Sequence, residues 1–361
     1  MTVRTIPALY AALAAALLLV AGLVIGFEVP RNVASTGPGT PQSQTLTVLA
    51  AGTLGVPFGS VASYVANTTP YSTAPVASQE YEGSLSVMAA VAQLHQAEDV
   101  VAAADYHLIP QQLESTWASW EVVFATSPEV LVYDPTVASL AGMNTTNWPV
   151  KILASGAPLG IANASTDPNG YNEIFVLELE GLLQNGSLSA LYSHYFNGAV
   201  GAAATPNPST TKLESETAVA SLISTHAISL FITYRSYAVS HGLSFVDFAP
   251  SVGLGATDAT DMAYYAQAST TISPTTGTQV VHGSPVLFSV TVPTNAPNAT
   301  LGDLFVHVLL SPAGDAILAA DGLTPIFPGW CDDPSLVPGL LAPDVLALPS
   351  ALQSQLPAAG T

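Results

Sequence analysis

Residues 46–61, LTVLAAGTLGVPFGSV, constrain the fold more than any other stretch. Leu46, Val48 and Ala50 alternate with Thr47 and Leu49, the period of a strand, and the alternation breaks at Ala51-Gly52-Thr53. An apolar run over 54–65 follows and reads as a helix. Glycine at the turn lets backbone approach a ligand closely, and Thr53 sits where a new helix exposes unpaired N–H groups. The same geometry serves two ends. It is either an ordinary capped helix start or an anion seat built from amide dipoles and a hydroxyl, with no cation needed.

The pattern recurs. A strand over 77–82 breaks at Gly83-Ser84 before a helix over 84–96, and a strand over 99–102 precedes a helix over 107–116. This alternation predicts an α/β domain with a mostly parallel sheet. Thr53 and Ser84 would then face one crevice at the C-terminal edge of that sheet. Residues 120–133, WEVVFATSPEVLVY, read as two strands crossing to a second domain. The α/β pattern resumes over 151–161, 169–183, 217–224 and 229–241. A strand over 286–292 and helices over 299–310 and 311–321 follow. From Trp330 onward the chain is rich in Pro, Leu and Ala without periodicity, which predicts an extended tail over 329–361.

A third polar turn, Ser165 to Tyr171 (STDPNGY), precedes the helix at 169–183. Asp167-Pro168 can cap and start that helix, or Asp167 can project into a site beside the two hydroxyls. A lone carboxylate repels an anion unless it is protonated or ligates the central atom.

Charge excludes several function classes. The chain of 361 residues carries 25 acids against five bases, a net charge of −20, and only Lys151, Lys212 and Arg235 lie beyond residue 44. No basic stripe for nucleic acid exists. Charged residues total 8%, far below the usual share of about 25%, and Ser, Thr, Asn and Gln replace them. Such a surface changes little on acidification, so we expect an acidic external medium. Residues 6–27 are uncharged and follow Arg4, as in a signal peptide or an uncleaved N-terminal anchor. Residues 28–44 read as a flexible tether. Exposure outside the membrane is expected, anchored or secreted, and the sequons at Asn67, Asn144, Asn163, Asn185 and Asn298 fit a glycoprotein. The single cysteine, Cys331, excludes an internal disulfide and any CxxC metal site. The seven histidines show no metal-ligand spacing, no nucleophile or nucleotide motif is present, and Glu214/Glu216, Asp258/Asp261 and Asp332/Asp333 read as solvated turns and helix starts. An enzyme is not expected.

Ordered segments resemble one family. They are Ala51-Gly52-Thr53-Leu54 with Pro57-Phe58, Gly83-Ser84, Ala103-Ala104-Asp105-Tyr106 with Ile109-Pro110, and Asn147-Trp148. Asp167-Pro168-Asn169-Gly170-Tyr171, Ser215-Glu216-Thr217, Tyr234-Arg235-Ser236 with Ala238-Val239, Pro293-Thr294-Asn295-Ala296-Pro297 and Leu310-Ser311-Pro312-Ala313-Gly314 continue the run. Over about residues 46–328 the chain is similar to archaeal-type molybdate/tungstate-binding proteins, the substrate-binding components of ABC importers.

The resemblance implies a type II periplasmic-binding-protein fold: two α/β lobes, each with a mixed, mostly parallel sheet, and a ligand cleft between them. Lobe I would comprise 45–128 plus 266–328, and lobe II 129–265. Thr53 holds the place of the family's hydroxyl donor, Ser84 matches the second, and Asp167 aligns with a carboxylate able to ligate the metal centre of the oxyanion. Tyr171 and Tyr234 complete the implied site. Thr233 stands where the family carries a second carboxylate, which favours a tetrahedral oxyanion held by hydroxyls and amides. The implied partners are tungstate or molybdate and the permease and ATPase of an importer, with a monomeric chain and no cofactor. Sulfate or another tetrahedral oxyanion is the alternative within this class; a glycosylated surface module without a ligand is the alternative outside it.

Overall fold

The computed structural model describes residues 45–68, 78–114 and 116–356; the expected leader (1–27) and tether (28–44) lie outside the described residues. The chain opens with β1 (Thr47–Ala51), α1 (Gly55–Thr68), β2 (Ser78–Glu82), α2 (Ser84–Ala92), β3 (Val100–Ala103) and α3 (Leu108–Gln112). β3 is buried throughout and β1 beyond Thr47, as strands covered on both faces are. β2 alternates between exposed and half-buried, and it forms the sheet edge. β1 runs parallel to both neighbours, and Ala51 and Glu82, the last residues of β1 and β2, are register partners. Gly52-Thr53 and Gly83-Ser84 therefore leave the sheet side by side.

β4 (Val122–Thr126) passes through Ser127-Pro128 into β5 (Glu129–Tyr133), the first strand of a second sheet. There follow α4 (Trp148–Ser155), β6 (Leu159–Ile161), α5 (Pro168–Asn185), α6 (Ser189–Tyr195), β7 (Phe196–Asn197), β8 (Thr205–Pro206), β9 (Thr211–Leu213) and α7 (Val219–Ser224). β10 (Leu230–Tyr234), α8 (Arg235–Ser240), β11 (Phe245–Asp247), α9 (Ala259–Tyr265), β12 (Ser269–Ile272) and β13 (Gln279–His282) lead back to β14 (Leu287–Thr291). α10 (Ala299–Leu309), α11 (Pro312–Ala320), β15 (Thr324–Cys331), β16 (Val345–Ala347) and α12 (Ser350–Gln353) complete the described chain.

The first sheet has the order β16-β15-β4-β14-β3-β1-β2, and the second β11-β5-β10-β6-β9. Both are mixed. The first has parallel pairs β1/β2, β1/β3 and β15/β16 against antiparallel β14/β3, β14/β4 and β15/β4. The second splits evenly too, β10/β6 and β6/β9 against β10/β5 and β11/β5. The parallel share is thus half rather than most, because β5 crosses between sheets and β14 returns, each against its neighbours' direction. One large apolar cluster reaches both sheets, with two smaller ones beside it; in it Phe58 meets Phe124 and Phe305 with ring centroids 5.8 and 5.1 Å apart, and Trp148 meets Phe248 at 4.8 Å. No single helix among the described residues is long and apolar enough to cross a membrane.

Beyond residue 328 the expected extended tail gives way to structure. The end of β15 pairs with β4, β16 adds a parallel strand at the edge, and Leu348 and Leu352 pack with Tyr106, Val123 and Leu287. Asp332 accepts the Glu121 backbone N–H at 2.9 Å, so it fastens the segment to β4 rather than standing in a solvated turn. Leu352 is buried, and Leu352→Ala is expected to cost about 2–3 kcal/mol. Urea unfolding checks this; an unchanged midpoint would mean the segment contributes no packing.

Candidate functional site

The site is built where the in-register ends of β1 and β2 meet the turns that follow β6, β9 and β10. Thr53, in the short 3-10 turn between β1 and α1, is buried, and its Oγ1 lies 3.2 Å from Ser236 Oγ at the start of α8. Ser84 is buried at the start of α2, and its Oγ accepts the Ala104 N–H at 2.9 Å, leaving its own proton to donate elsewhere.

Both preceding glycines are needed for close approach rather than for unusual backbone. A Cβ on Gly52 would lie 2.7 Å from Thr217 Cγ2. One on Gly83 would lie 2.3 Å from the Thr166 carbonyl oxygen. Each first-sheet turn is thus pressed against a turn of the second sheet.

Asp167 caps α5 through the Asn169 N–H at 3.0 Å, and Pro168 takes the first helical position. The capping expectation is therefore met, yet the same carboxylate also adjoins Gly83, whose Cβ position lies 3.0 Å from Asp167 Cβ. Burial pushes its carboxyl up to about 6 against the opposing pull of the Asn169 N–H. Tyr171, one turn into α5, donates to Asp105 Oδ2 at 2.5 Å, spanning from the second sheet's helix to the end of β3. Burial pushes Asp105 up, but His107 beside it and the donated hydrogen bonds hold it below the usual carboxylate range.

Thr233 and Tyr234 end β10 and are fully buried. Thr233 Oγ1 donates to Glu216 Oε1 at 3.0 Å. The Tyr234 ring packs edge-on against Phe288, 5.5 Å between centroids, and its hydroxyl is buried without a hydrogen-bond partner. Of the six expected residues, Asp167 lines a crevice of about 390 Å³ with Gly83, Asn163, Thr166, Glu214 and Ser215, and Tyr171 lines a separate cavity of about 340 Å³ with Asp105 and His107. Thr53, Ser84, Thr233 and Tyr234 line neither cavity.

Glu216 corrects the sequence reading. Expected with Glu214 in a solvated turn, it is only 3% exposed. Its burial raises its carboxyl well above the ordinary range, Asp167 adds to that rise, and the Thr233 hydroxyl opposes it. Ser236 and Asp105 are also partners of expected residues, Thr53 and Tyr171. All three lie in segments that carry the family resemblance, but no local pattern gives them a role at the site, because their partners lie 17, 183 and 66 residues away.

Comparison with known proteins agrees with this fold. The family model for bacterial extracellular solute-binding proteins matches residues 46–324. A solute-binding protein of Methanoculleus marisnigri is 28% identical over 277 residues, 73% of this chain and 78% of the relative. The molybdate/tungstate-binding protein WtpA of Thermococcus kodakarensis is 27% identical over 288 residues, 76% of this chain and 80% of the relative. Among solved structures, the periplasmic molybdate-binding protein of Azotobacter vinelandii superposes with a TM-score of 0.54 at 14% identity, covering 77% of this chain and 98% of that one. At that identity the likeness speaks for the two-lobe fold alone.

Proposed function

We propose that this chain, which belongs to the bacterial extracellular solute-binding protein family, captures a tetrahedral metal oxyanion, tungstate or molybdate, for an ABC importer. Membership makes it a solute-binding protein of the importer type, a class that holds and delivers its ligand rather than transforming it. The observation that carries the oxyanion reading is the convergence of two glycine–hydroxyl turns, at Thr53 and Ser84, from strands ending in register. A helix of fourteen residues and one of nine begin just beyond them, so hydroxyls and amide dipoles point the same way. On this reading Thr53 and Ser84 serve from lobe I (45–128 with 266–328), and Asp167, Tyr171, Thr233 and Tyr234 from lobe II (129–265). The lobes close over the anion and present a surface to the permease and ATPase subunits. Local dipoles outweigh the distant, screened net charge of −20. The relative named molybdate/tungstate-binding supports the choice of anion.

Calorimetric titration with tungstate, molybdate and sulfate tests the reading. Tungstate and molybdate are expected to bind, with sulfate at least about tenfold weaker. Thr53→Ala and Ser84→Ala should each weaken binding about 10- to 100-fold, the loss of a hydrogen bond to a charged group. Absence of heat from all three anions would overturn transport, and equal affinity for sulfate would overturn the choice of substrate.

A further inference from the structure

We propose that Asp105 is a positioning residue for anion capture. It takes the single proton of the Tyr171 hydroxyl and so clamps the first turn of α5 to the end of β3, which makes Tyr171 a closing contact rather than a donor to the anion. This rests on the oxyanion reading of the cleft.

Asp105 follows β3 in the turn that leads into α3. Its Oδ1 accepts the His107 backbone N–H at 2.9 Å and lies 2.7 Å from His107 Nδ1, so two local contacts fix the carboxylate before it meets anything distant. Oδ2 is left to face α5, where the Tyr171 hydroxyl donates to it at 2.5 Å. His107 keeps Asp105 ionised against its burial, and a phenol bonded to a carboxylate makes a short, charge-assisted hydrogen bond. Tyr171 is only 3% exposed. Leu108, Ile272, Val280 and Val281 help to line the cavity of about 340 Å³ that holds the pair, and apolar walls strengthen a hydrogen bond for which water would otherwise compete.

Counting protons decides the role. A phenol has one proton, and an oxyanion offers only acceptors. With that proton directed at Asp105, the Tyr171 oxygen can only accept, so it has nothing to give a bound tungstate. The cavities agree: Tyr171 lines the one that contains Asp105, while Asp167, four residues earlier, lines the other. What Tyr171 can transmit is position. Four residues are about one helical turn, so fixing Tyr171 fixes the start of α5 and the Asp167 turn with it. On the first sheet's side, Ala104, next to Asp105, donates its N–H to Ser84 Oγ at 2.9 Å. Ala104-Asp105 thus orients a hydroxyl of one sheet and grips the helix of the other. The Asp105–Tyr171 bond joins elements 66 residues apart in the chain and forms only where they approach. If they part, both partners return to water and the bond's contribution is lost. It therefore stabilises the closed, anion-holding state.

The experiment is calorimetric titration of the full chain with tungstate, molybdate and sulfate, in the parent, Tyr171→Phe, Asp105→Asn and the double variant. Asparagine keeps the shape but has one acceptor oxygen where Asp105 uses two, so the clamp loosens. Each single variant should weaken every anion that the parent binds by one common factor, about 10- to 100-fold, because the lost bond does not touch the anion. The double variant should be no weaker than the weaker single one, since both changes remove the same bond. Unliganded melting points should stay within about 2 °C of the parent. Losses that multiply in the double variant, or parent-like affinity in Asp105→Asn beside a loss in Tyr171→Phe, would show a hydroxyl that serves the anion itself and overturn the clamp. A lowered melting point with unchanged affinity would show a merely structural bond and overturn it equally. Circular dichroism confirms that each variant is folded, and either single variant carries the test through the common factor if the other is not. All of these outcomes leave the oxyanion reading intact. No binding of any of the three anions by the parent overturns both.

Discussion

The protein is expected to be most stable near pH 4–5 and to lose stability steadily as pH rises to 8. The cause is a set of buried carboxyls without cations. Burial pushes Glu178 up to about 8, against the Ser269 N–H that it accepts at 3.0 Å, and its other oxygen has no partner. Glu114 is pushed to about 8 by burial and by Asp332 beside it. Glu121, fully buried, is raised well above the ordinary range by burial and by Asp332 against the opposing Ser289 hydroxyl, and Glu129 and Glu173 likewise by burial. Each of these groups binds a proton more tightly folded than unfolded. Its stabilising contribution is complete below the unfolded value near 4.5 and is lost as pH climbs through the folded one. For Glu178 alone, 0% exposed, the loss by pH 8 is of order 4 kcal/mol, a large part of a typical total of about 5–15 kcal/mol. The opposing groups are few. Asp105, pulled down chiefly by His107 against its burial, and Asp134, pulled down chiefly by Thr136, favour folding above the ordinary carboxylate range and set the lower limit. Thermal unfolding across pH 3–8 should show a midpoint falling by at least about 10 °C from pH 5 to 8. Glu178→Gln should remove part of that slope. A midpoint that is flat or rises over this range would refute the account. The acidic medium expected from a charge-poor surface thus gains a second basis, inside the molecule.

How much of this was legible depended on the range of the contacts. The units at 46–65 and 78–92 carry their own signal, because strand alternation, glycine and helix start are adjacent in the chain. Their side-by-side placement followed from parallel pairing. β15 has no such signal. It contains Pro325, Pro328 and Gly329, which argue against a strand, and its pairing with β4 breaks register between Pro325 and Trp330. It exists because an edge of β4, two hundred residues earlier in the chain, is there to receive it. Glu216 is the same case at the site. Ser215-Glu216-Thr217 reads as a polar turn, and only closure against Gly52 and Thr233 takes it out of water. The vacant carboxylate position at Thr233 was legible; the residue its hydroxyl serves was not.

Gly83→Ala is expected to separate closure of the cleft from folding of the chain. Gly83 has φ −61° and ψ 137°, a conformation any residue adopts, so alanine meets no local strain there. As the residue preceding α2 it has no side-chain cap to lose, and the change should cost less than about 1 kcal/mol in the unliganded protein. Opposition to the new methyl comes from across the cleft. It would stand 2.3 Å from the Thr166 oxygen and 3.0 Å from Asp167 Cβ, where an ordinary contact begins at 3.4 Å. The struck atom is backbone, so the turn cannot rotate away and the segments must part by about 1 Å, an overpacking penalty of about 1–3 kcal/mol. If closure accompanies binding, the full penalty falls on the bound state, and Kd rises about 5- to 150-fold with the unliganded melting point nearly unchanged. Gly52→Ala is the milder partner, since its nearest obstacle at 2.7 Å is the Thr217 methyl, the end of a side chain that can turn. The order of effects, Gly83→Ala greater than Gly52→Ala, therefore reports which face of the cleft is rigid. Unchanged affinity in Gly83→Ala would show that these turns do not approach in the bound state. A large loss of unliganded stability would show instead that the cleft rests closed before any anion arrives.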